Sequence, residues 1–354
     1  MSNKVLMKGN EAIAEAAIRS GCKHFFGYPI TPQTELSAYM AKKMPKIGGV
    51  FLQAESEVAA INMVYGAAGA GARTMTSSSS PGISLKAEGI SYIAGADVPC
   101  VIVDIVRGGP GLGGIQPAQS DYFQATKGGG HGDYHLIVLA PNSVQEIVSL
   151  TADAFNLSDE YRVPAMILGD GTLGQMMEPV DFDSVPAPVD SNKDWATNGT
   201  EGKRKHNIIN SLYLAPEELE EKIRERYERY EIIKANEQRY EAHDIEDADI
   251  IVSAYGTTSR VVESAVKTLQ GEGYKVGVIR PITLWPFPEK VFKKAAETAK
   301  AFLSVEMSMG QMVDDIKLAT EGKVPVHFFG RTGGIIPTPE EIIEKVKEIA
   351  KDLK

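Results

Sequence analysis

The sequence predicts an α/β protein with two doubly wound, mainly parallel sheets, and three observations carry that expectation. Short apolar strand patterns alternate with amphipathic helical patterns through the first half of the chain. VPCVIVDIV (98–106) and VPAMILGD (163–170) read as continuous β-branched or aliphatic runs, the mark of strands buried on both faces. After an aperiodic polar stretch, the same alternation resumes from about residue 247. A chain of 354 residues suits two domains better than one. Its content of 43% hydrophobic and 24% charged residues is that of a folded globular protein.

The elements follow in order. The N-terminal segment through NEAIAEAAIRSG (10–21) reads as an amphipathic helix that stops at a glycine. KHFFGYP (23–29) is a short strand, and ITPQTELSAYMAKKM (30–44) a helix starting at Thr31-Pro32, with threonine as cap and proline in the first turn. GGVFLQA is a strand, and ESEVAAINMVYGAAGAGA (55–72) a helix of small residues suited to close packing against another body. RTMTSSS runs as a strand into the helix SPGISLKAEGISYIAGA (80–96), and VPCVIVDIV follows. HLIVLAP and VPAMILGD are strands flanking the helix SVQEIVSLTADAFNLSDEY (143–161). Residues 180–207, rich in Pro, Asn, Asp and Lys, read as a linker. A charged helix then spans 215–244, with Leu219, Ile223, Tyr227, Tyr230 and Ile233 on one stripe. The second α/β unit contains the strands DIIVSAYG, YKVGVIRP, KAFLSVEMS and VPVHFFGR, separated and followed by helices. The expected division is 1–184, a linker with the charged helix at 185–246, and 247–354.

Composition and motif content exclude several functions. With 37 basic and 47 acidic residues the net charge is −10, which argues against a nucleic-acid surface. No run of about 18 apolar residues could span a bilayer. The N-terminus has no signal-peptide core, so a cytoplasmic location is expected. GGPGLGGIQP (108–117) does not open a helix after the first strand as a dinucleotide fingerprint would, and it reads equally as a connecting loop or a loop over a site. P-loop, zinc-spacing and nucleophile-elbow patterns are missing. LGDGTLGQ (168–175) begins like a metal–pyrophosphate motif but lacks its downstream Asn pair, so it reads as a turn and no metal ligand is assigned. Cys22 and Cys100 are expected to be buried reduced thiols. Two cysteines cannot hold a four-iron cluster.

Four residues stand at strand ends or strand–helix junctions and admit two readings each. Thr31 is a helix cap, at an end whose free N–H groups also attract anions. Glu55 and Glu57 are ordinary partners of a helix N-terminus, although a carboxylate buried there would need a reason. Arg107 closes an apolar strand, where it serves a surface ion pair or holds a carboxylate bidentately. The turn AYGTTSR (254–260) is a weaker anion candidate that reads better as structure.

Taken in sequence, GYPITPQTE, ESEVAA…GAAGAGARTMTSSSSPG and VPCVIVDIVRGGPG resemble the 2-oxoacid:ferredoxin oxidoreductases, in particular the subunit pairing a thiamine diphosphate pyrimidine-binding domain with a transketolase C-terminal-like domain. GGPGLGGIQPAQSDYFQATKGGGHGDY is similar to the branched-chain, 2-oxoisovalerate-oxidising form. The resemblance covers nearly the whole chain outside 185–215. It implies that Thr31 contacts the 2-oxoacid, that Glu57 rather than Glu55 faces N1′ of the aminopyrimidine with Tyr28 and Pro29 beside the cofactor, and that Arg107 holds the substrate carboxylate. It further implies a partner subunit holding pyrophosphate and Mg²⁺, a gamma-type subunit, a ferredoxin-like subunit carrying 4Fe–4S clusters, ferredoxin as acceptor and coenzyme A as acyl acceptor. The same motifs serve 2-oxoglutarate and pyruvate. Another thiamine diphosphate enzyme, or a non-catalytic scaffold subunit, are the other readings.

Overall fold

The computed structural model describes residues 4–353 except 184 and 190. The first half runs β1 (Val5–Lys8), α1 (Gly9–Arg19), β2 (His24–Gly27), α2 (Thr34–Lys43), β3 (Val50–Gln53), α3 (Glu57–Gly69), β4 (Thr74–Ser78), α4 (Pro81–Gly95) and β5 (Val101–Val106). It continues with α5 (Tyr122–Thr126), β6 (Ile137–Leu139), α6 (Val144–Tyr161), β7 (Ala165–Asp170), α7 (Gly171–Gln175) and β8 (Met177–Val180). After the excursion come α8 (Pro216–Asn236), β9 (Tyr240–His243), β10 (Ile250–Ser253), α9 (Gly256–Gly271), β11 (Val276–Pro281) and β12 (Thr283–Trp285). The chain closes with α10 (Glu289–Ala295), β13 (Ala301–Glu306), α11 (Met312–Ala319), β14 (Val326–Gly330) and α12 (Pro339–Asp352).

The larger sheet has strand order β12-β6-β7-β5-β4-β2-β3, parallel except at its β12 edge. The smaller sheet, β14-β13-β10-β11-β9, is parallel except for β9. Both are the doubly wound sheets that the pattern predicts. Every residue of β5 and β7 is buried, as expected of central strands covered on both faces.

Side-chain alternation explains how the sheets join. In the smaller sheet Ile251, Ile279 and Phe302 belong to the large core shared with the first unit. Their neighbours Ile250, Val252, Val278, Ala301 and Leu303 point to the other face, packing with Val262, Leu269, Ile342 and Val346 of α9 and α12. Polar ties add to this contact. Arg280 of β11 is buried and pairs with Glu146 of α6 at 2.7 Å and Glu241 at 2.9 Å. Asp170, at the end of β7, caps α7 by accepting from the Thr172 and Leu173 amides, and also accepts from the Thr257 hydroxyl.

Local expectations differ from the structure at four places. Residues 5–8 form β1, paired antiparallel with β8, rather than helix. The helix expected from Thr31-Pro32 begins at Thr34, with Gln33 in the cap position. Residues 30–33 form a turn that Gln33 N–H closes on Ile30 O, so Thr31 is not a cap. The charged helix stops at Asn236, and Tyr240–His243 leaves it to pair with β11. Finally, β12 crosses from the C-terminal sequence to the edge of the larger sheet. Pairing with strands outside their own neighbourhood, β11 for β9 and β6 for β12, leaves no local signature in sequence, which is why these last two were not legible. The helical stripe does pack inward at its C-terminal end: Tyr230 and Ile233 are buried, with Tyr230 edge-on to Trp285 and His135.

Arg280→Met should lower unfolding stability by about 2 kcal/mol, at the modest end for a broken buried pair because both carboxylates keep partial solvent access. Urea titration of the purified chain measures it; an unchanged midpoint would remove Arg280 from the contact between the sheets.

Candidate active site

Four parallel strands, β5, β4, β2 and β3 in spatial order, release their chains at one edge of the larger sheet. The loop after β2 carries Tyr28, Pro29 and Thr31; the turn after β3 leads to Glu57; β4 ends at Ser78, with Ser79 and Ser80 next; Arg107 directly follows β5. This carboxyl edge is where open α/β sheets bind ligands.

The loop after β2 is held from beneath. Gln33 is fully buried, accepts from Ser77 Oγ at 2.7 Å and donates to Tyr28 O at 3.3 Å. Asn10 of α1 donates to Pro32 O at 2.8 Å. Those bonds fix the backbone and leave Thr31 exposed, with Pro29 exposed and Tyr28 half-buried. Arg107 is buried; its guanidinium donates to Thr31 O at 3.0 Å and Leu112 O at 3.3 Å, and its Nε has no partner among the described residues. Thr31 and Arg107 are therefore in direct contact. Glu55 is exposed at the turn, whereas Glu57 is buried in the first position of α3. Ser56, not the glutamate, caps that helix, accepting from Ala59 N. Glu57 accepts no hydrogen bond among the described residues.

Gly82, in the first turn of α4, faces this carboxylate. A Cβ there would lie 2.9 Å from Glu57 Oε1 and 2.0 Å from Ser78 Oγ, so only glycine leaves that space open. The small residues of α3 and α4 do the job expected of them: Ile61 packs where Gly89 has no side chain, and a Cβ there would meet it at 2.5 Å.

Behind the edge lies a buried lysine. Lys86 of α4 is fully buried and donates to Thr76 Oγ1 at 3.0 Å and Ser77 O at 2.9 Å. Burial lowers its pKa from 10.5 to about 8, against the opposing fields of Glu57 and Asp104. The Lys86 ammonium thus faces the Glu57 carboxylate near neutral pH. Sequence reading missed Lys86, Gln33, Asp104 and Asp121. A signal existed for two of them: a lysine within an apolar helix (ISLKAEGI) and an aspartate within VIVDIV are each out of place in a buried run.

Other candidates resolve as structure. Both Asp170 oxygens are engaged, as described, so the Gly-Asp-Gly turn joins the two units. In the 254–260 turn, Thr258 donates to Gln119 Oε1, Ser259 to Gly256 O, and Arg260 pairs with Glu178. Cys22 and Cys100 are free and buried, and burial pushes each thiol up to about 12.

The arrangement defines the class first: an α/β protein with a carboxylate, a guanidinium and several unpaired hydroxyls gathered at one carboxyl edge. Comparison with known proteins narrows it. The family model described as pyruvate flavodoxin/ferredoxin oxidoreductase, thiamine diphosphate-binding, matches residues 15–252, and that for pyruvate:ferredoxin oxidoreductase core domain II matches 248–342. The ketoisovalerate oxidoreductase subunit VorB of Methanothermobacter marburgensis is 51% identical across 98% of this chain and 97% of its own length. The 2-oxoglutarate synthase subunit KorA of the same organism is 37% identical, covering 98% of this chain and 99% of its own length. Among solved structures, the 2-oxoglutarate:ferredoxin oxidoreductase of Magnetococcus marinus, with 2-oxoglutarate, coenzyme A and succinyl-CoA bound, superposes with a TM-score of 0.87 at 31% identity. That match covers 98% of this chain and 65% of the other. A split-gene transketolase shares the fold at a TM-score of 0.61 and 14% identity, covering 97% of each chain. The chain belongs to the 2-oxoacid:ferredoxin oxidoreductase family, as an oxidoreductase subunit with a thiamine diphosphate-binding domain.

Lys86→Met tests the buried ammonium. The folded pKa lies below 10.5, so the unfolded chain binds the extra proton between about pH 8 and 10.5 and wild-type stability gains as pH rises through that window. The wild-type-minus-variant stability difference should increase by about 2 kcal/mol between pH 7.5 and 9.5. Parallel urea-stability curves for the two chains would show that Lys86 titrates normally.

Proposed function

We propose that this chain supplies the pyrimidine side of a thiamine diphosphate site that oxidatively decarboxylates a branched-chain 2-oxoacid, 2-oxoisovalerate for preference, with coenzyme A taking the acyl group and ferredoxin the electrons. One observation carries the reading: unpaired buried polar atoms gather at the edge where Glu57 has no hydrogen-bond partner. Ser78 Oγ, Ser79 Oγ and Arg107 Nε lack partners there among the described residues. Buried polar groups are nearly always satisfied, so a set of orphans at one edge fits a polar ligand. The branched-chain preference is supported by the 51% identical ketoisovalerate oxidoreductase subunit, and by the exposed Leu112 and Ile115 on the segment after Arg107.

When bound, thiamine diphosphate supplies the electron sink for loss of CO₂ from the 2-oxoacid. The residues present fit its aminopyrimidine: a buried free carboxylate, and space kept open by Gly82. Glu57 holds a proton at N1′, and low exposure makes that hydrogen bond strong. Tyr28 and Pro29 line the loop beside the ring. Arg107, anchored through Thr31 O, offers its free Nε–H to the substrate carboxylate, and the exposed Thr31 hydroxyl is placed to donate to the 2-oxo group. Orientation and preorganised charge are this chain's share of catalysis.

Pyrophosphate, Mg²⁺ and the 4Fe–4S clusters are assigned to partner subunits, one pyrophosphate-binding, one gamma-type and one ferredoxin-like. Two buried, protonated thiols make poor cluster ligands, and Asp170 is committed to internal hydrogen bonds. Exposed Val58, Leu85, Leu112 and Ile115 follow the strand ends that carry the site and suit contact with such a partner. The division of the chain near residue 247 is part of this proposal and agrees with where the two family matches meet. No helix among the described residues is long and apolar enough to cross a membrane.

In the assembled complex, Glu57→Gln should cut 2-oxoisovalerate-dependent viologen reduction by about 10²-fold or more while assembly persists. Activity near wild type would remove Glu57 from the mechanism. Arg107→Met should raise KM for the 2-oxoacid about 10²-fold, consistent with a lost charge-assisted contact, and leave thiamine diphosphate binding intact. A comparable loss of cofactor affinity by calorimetry would instead make Arg107 a structural residue.

A further inference from the structure

The segment 108–120, which carries Leu112 and Ile115 over the candidate site, has two fixed ends. At the first, Arg107 N donates to Ser80 Oγ at 3.0 Å, and the Ser80 hydroxyl lies 3.2 Å from Arg107 O. The second end is Gln119, buried and fully engaged: it exchanges backbone and side-chain bonds with Met307, donates to Tyr255 O and accepts from Thr258 Oγ1. Between the ends the loop closes on itself through Gly114 N to Gly108 O and Gly108 N to Gln116 O. Gly113 sits at φ +57, where a Cβ would lie 1.9 Å from Gly108 O, so the tight return demands glycine.

Two carboxyl groups bridge these ends. Asp104, in β5 just before the loop, is 1% exposed and accepts from Ser80 N at 3.1 Å through Oδ1. Asp121, just after the loop, stands beside Asp104 and Ser80, within reach of both side chains. Asp104 Oδ2 and Asp121 Oδ2 are both buried and find no donor among the described residues. Two carboxylates are acceptors only, so a bond between them requires a proton on one. Charge points the same way. The buried Lys86 ammonium faces Glu57 and Asp104, with Asp121 beside Asp104, and a proton held by the aspartates lessens the excess of negative charge in that set. The phenol of Tyr255 also faces the pair and remains protonated, its pKa raised by burial and by these carboxylates.

We propose that Asp104 holds a proton and donates it to Asp121, and that this carboxyl–carboxylate bond is a staple that positions Arg107, through Ser80, and the 108–120 segment for binding of the 2-oxoacid. Both aspartates are positioning residues; neither needs to touch substrate. Burial and the facing Asp121 raise the pKa of Asp104 well above the usual carboxylate range. The staple therefore exists in the pH window where the pair holds one proton: below it both carboxyls are protonated, and above the folded-state pKa of Asp104 two like charges would be left side by side.

The proposal rests on the 2-oxoacid reading above, and its test has one arm independent of that reading. Asp104→Asn is the decisive variant: the amide oxygen can still accept from Ser80 N, and the amide N–H replaces the shared proton by one that cannot titrate. In the assembled complex, wild-type KM for 2-oxoisovalerate should rise severalfold on the alkaline side while thiamine diphosphate affinity holds. Asp104→Asn should flatten that rise, and Asp104→Ala should raise KM about tenfold at every pH. An alkaline rise that persists in Asp104→Asn would assign it to another group, Lys86 first, and overturn the staple. The independent arm is infrared spectroscopy of the isolated chain, in which a protonated-carboxyl C=O band should be present in wild type and absent from Asp104→Asn. Absence of that band from wild type overturns the shared proton whatever the enzyme's substrate. Its presence in a complex inactive on every 2-oxoacid would instead refute the functional reading alone. Should Asp104→Ala fail to assemble, the Asn profile and the infrared band still decide.

Discussion

Parallel pairing of β5, β4, β2 and β3 is the constraint on which the rest depends. Four neighbouring strands running the same way must all release their chains at one edge, and strands about 4.8 Å apart bring the four loops within reach of one small ligand. Thr31, Glu57, Ser78–Ser80 and Arg107 are far apart in sequence and share that edge for this reason alone. The loop backbones are then immobilised from behind: Gln33 ties the first to β4, Ser80 ties the last to α4, and Arg107 joins first to last through Thr31 O. Functional side chains at the front can stay unpaired because structural side chains at the back satisfy the backbone.

The cost of this arrangement is a cluster of charge in a poorly hydrated place. A buried lysine, a buried arginine and three carboxyl groups lie behind or within the edge, where an unbalanced charge would be expensive. Each is compensated differently. Lys86 has two oxygen partners and the field of Glu57, Arg107 donates to carbonyls, and the aspartates remove a charge by holding a proton. Glu57 alone keeps its acceptor capacity free, which is the condition for it to act on a ligand rather than on the fold.

Much of this was legible in sequence, and the parts that were not share a cause. Strand–helix alternation gave both sheets; strand ends drew attention to Thr31, Glu55, Glu57 and Arg107 with two readings each, and the family resemblance is what singled out Glu57 over Glu55 and gave the site roles. Their immediate roles were less visible. Thr31-Pro32 has the composition of a helix start, yet the helix waits until Thr34 because Gln33 is drawn into the core by Ser77, a partner 44 residues away. Asp104 was hidden in a run that reads as continuous strand, although a carboxylate among β-branched residues was itself the anomaly. Strands β9 and β12 were missed because their pairing is set by distant partners rather than by their own short sequences. Periodicity reports which face is buried; it does not report what a buried polar atom meets.

The same geometry bears on substrate choice. On the proposed reading, Thr31 and Arg107 address the oxo and carboxylate groups, which every 2-oxoacid possesses, so they cannot distinguish one from another. Discrimination has to come from what surrounds the rest of the substrate, and two exposed apolar side chains, Leu112 and Ile115, sit on the glycine-rich segment that follows Arg107. A hydrophobic contact separates substrates differing by one methylene only weakly unless the contact is held rigidly. Fixing both ends of that segment, by Gln119 to the second unit and by Asp121 to Asp104, supplies rigidity where glycines would otherwise allow drift. Specificity in such a site would then depend as much on the buried carboxyl pair behind the loop as on the apolar residues it presents.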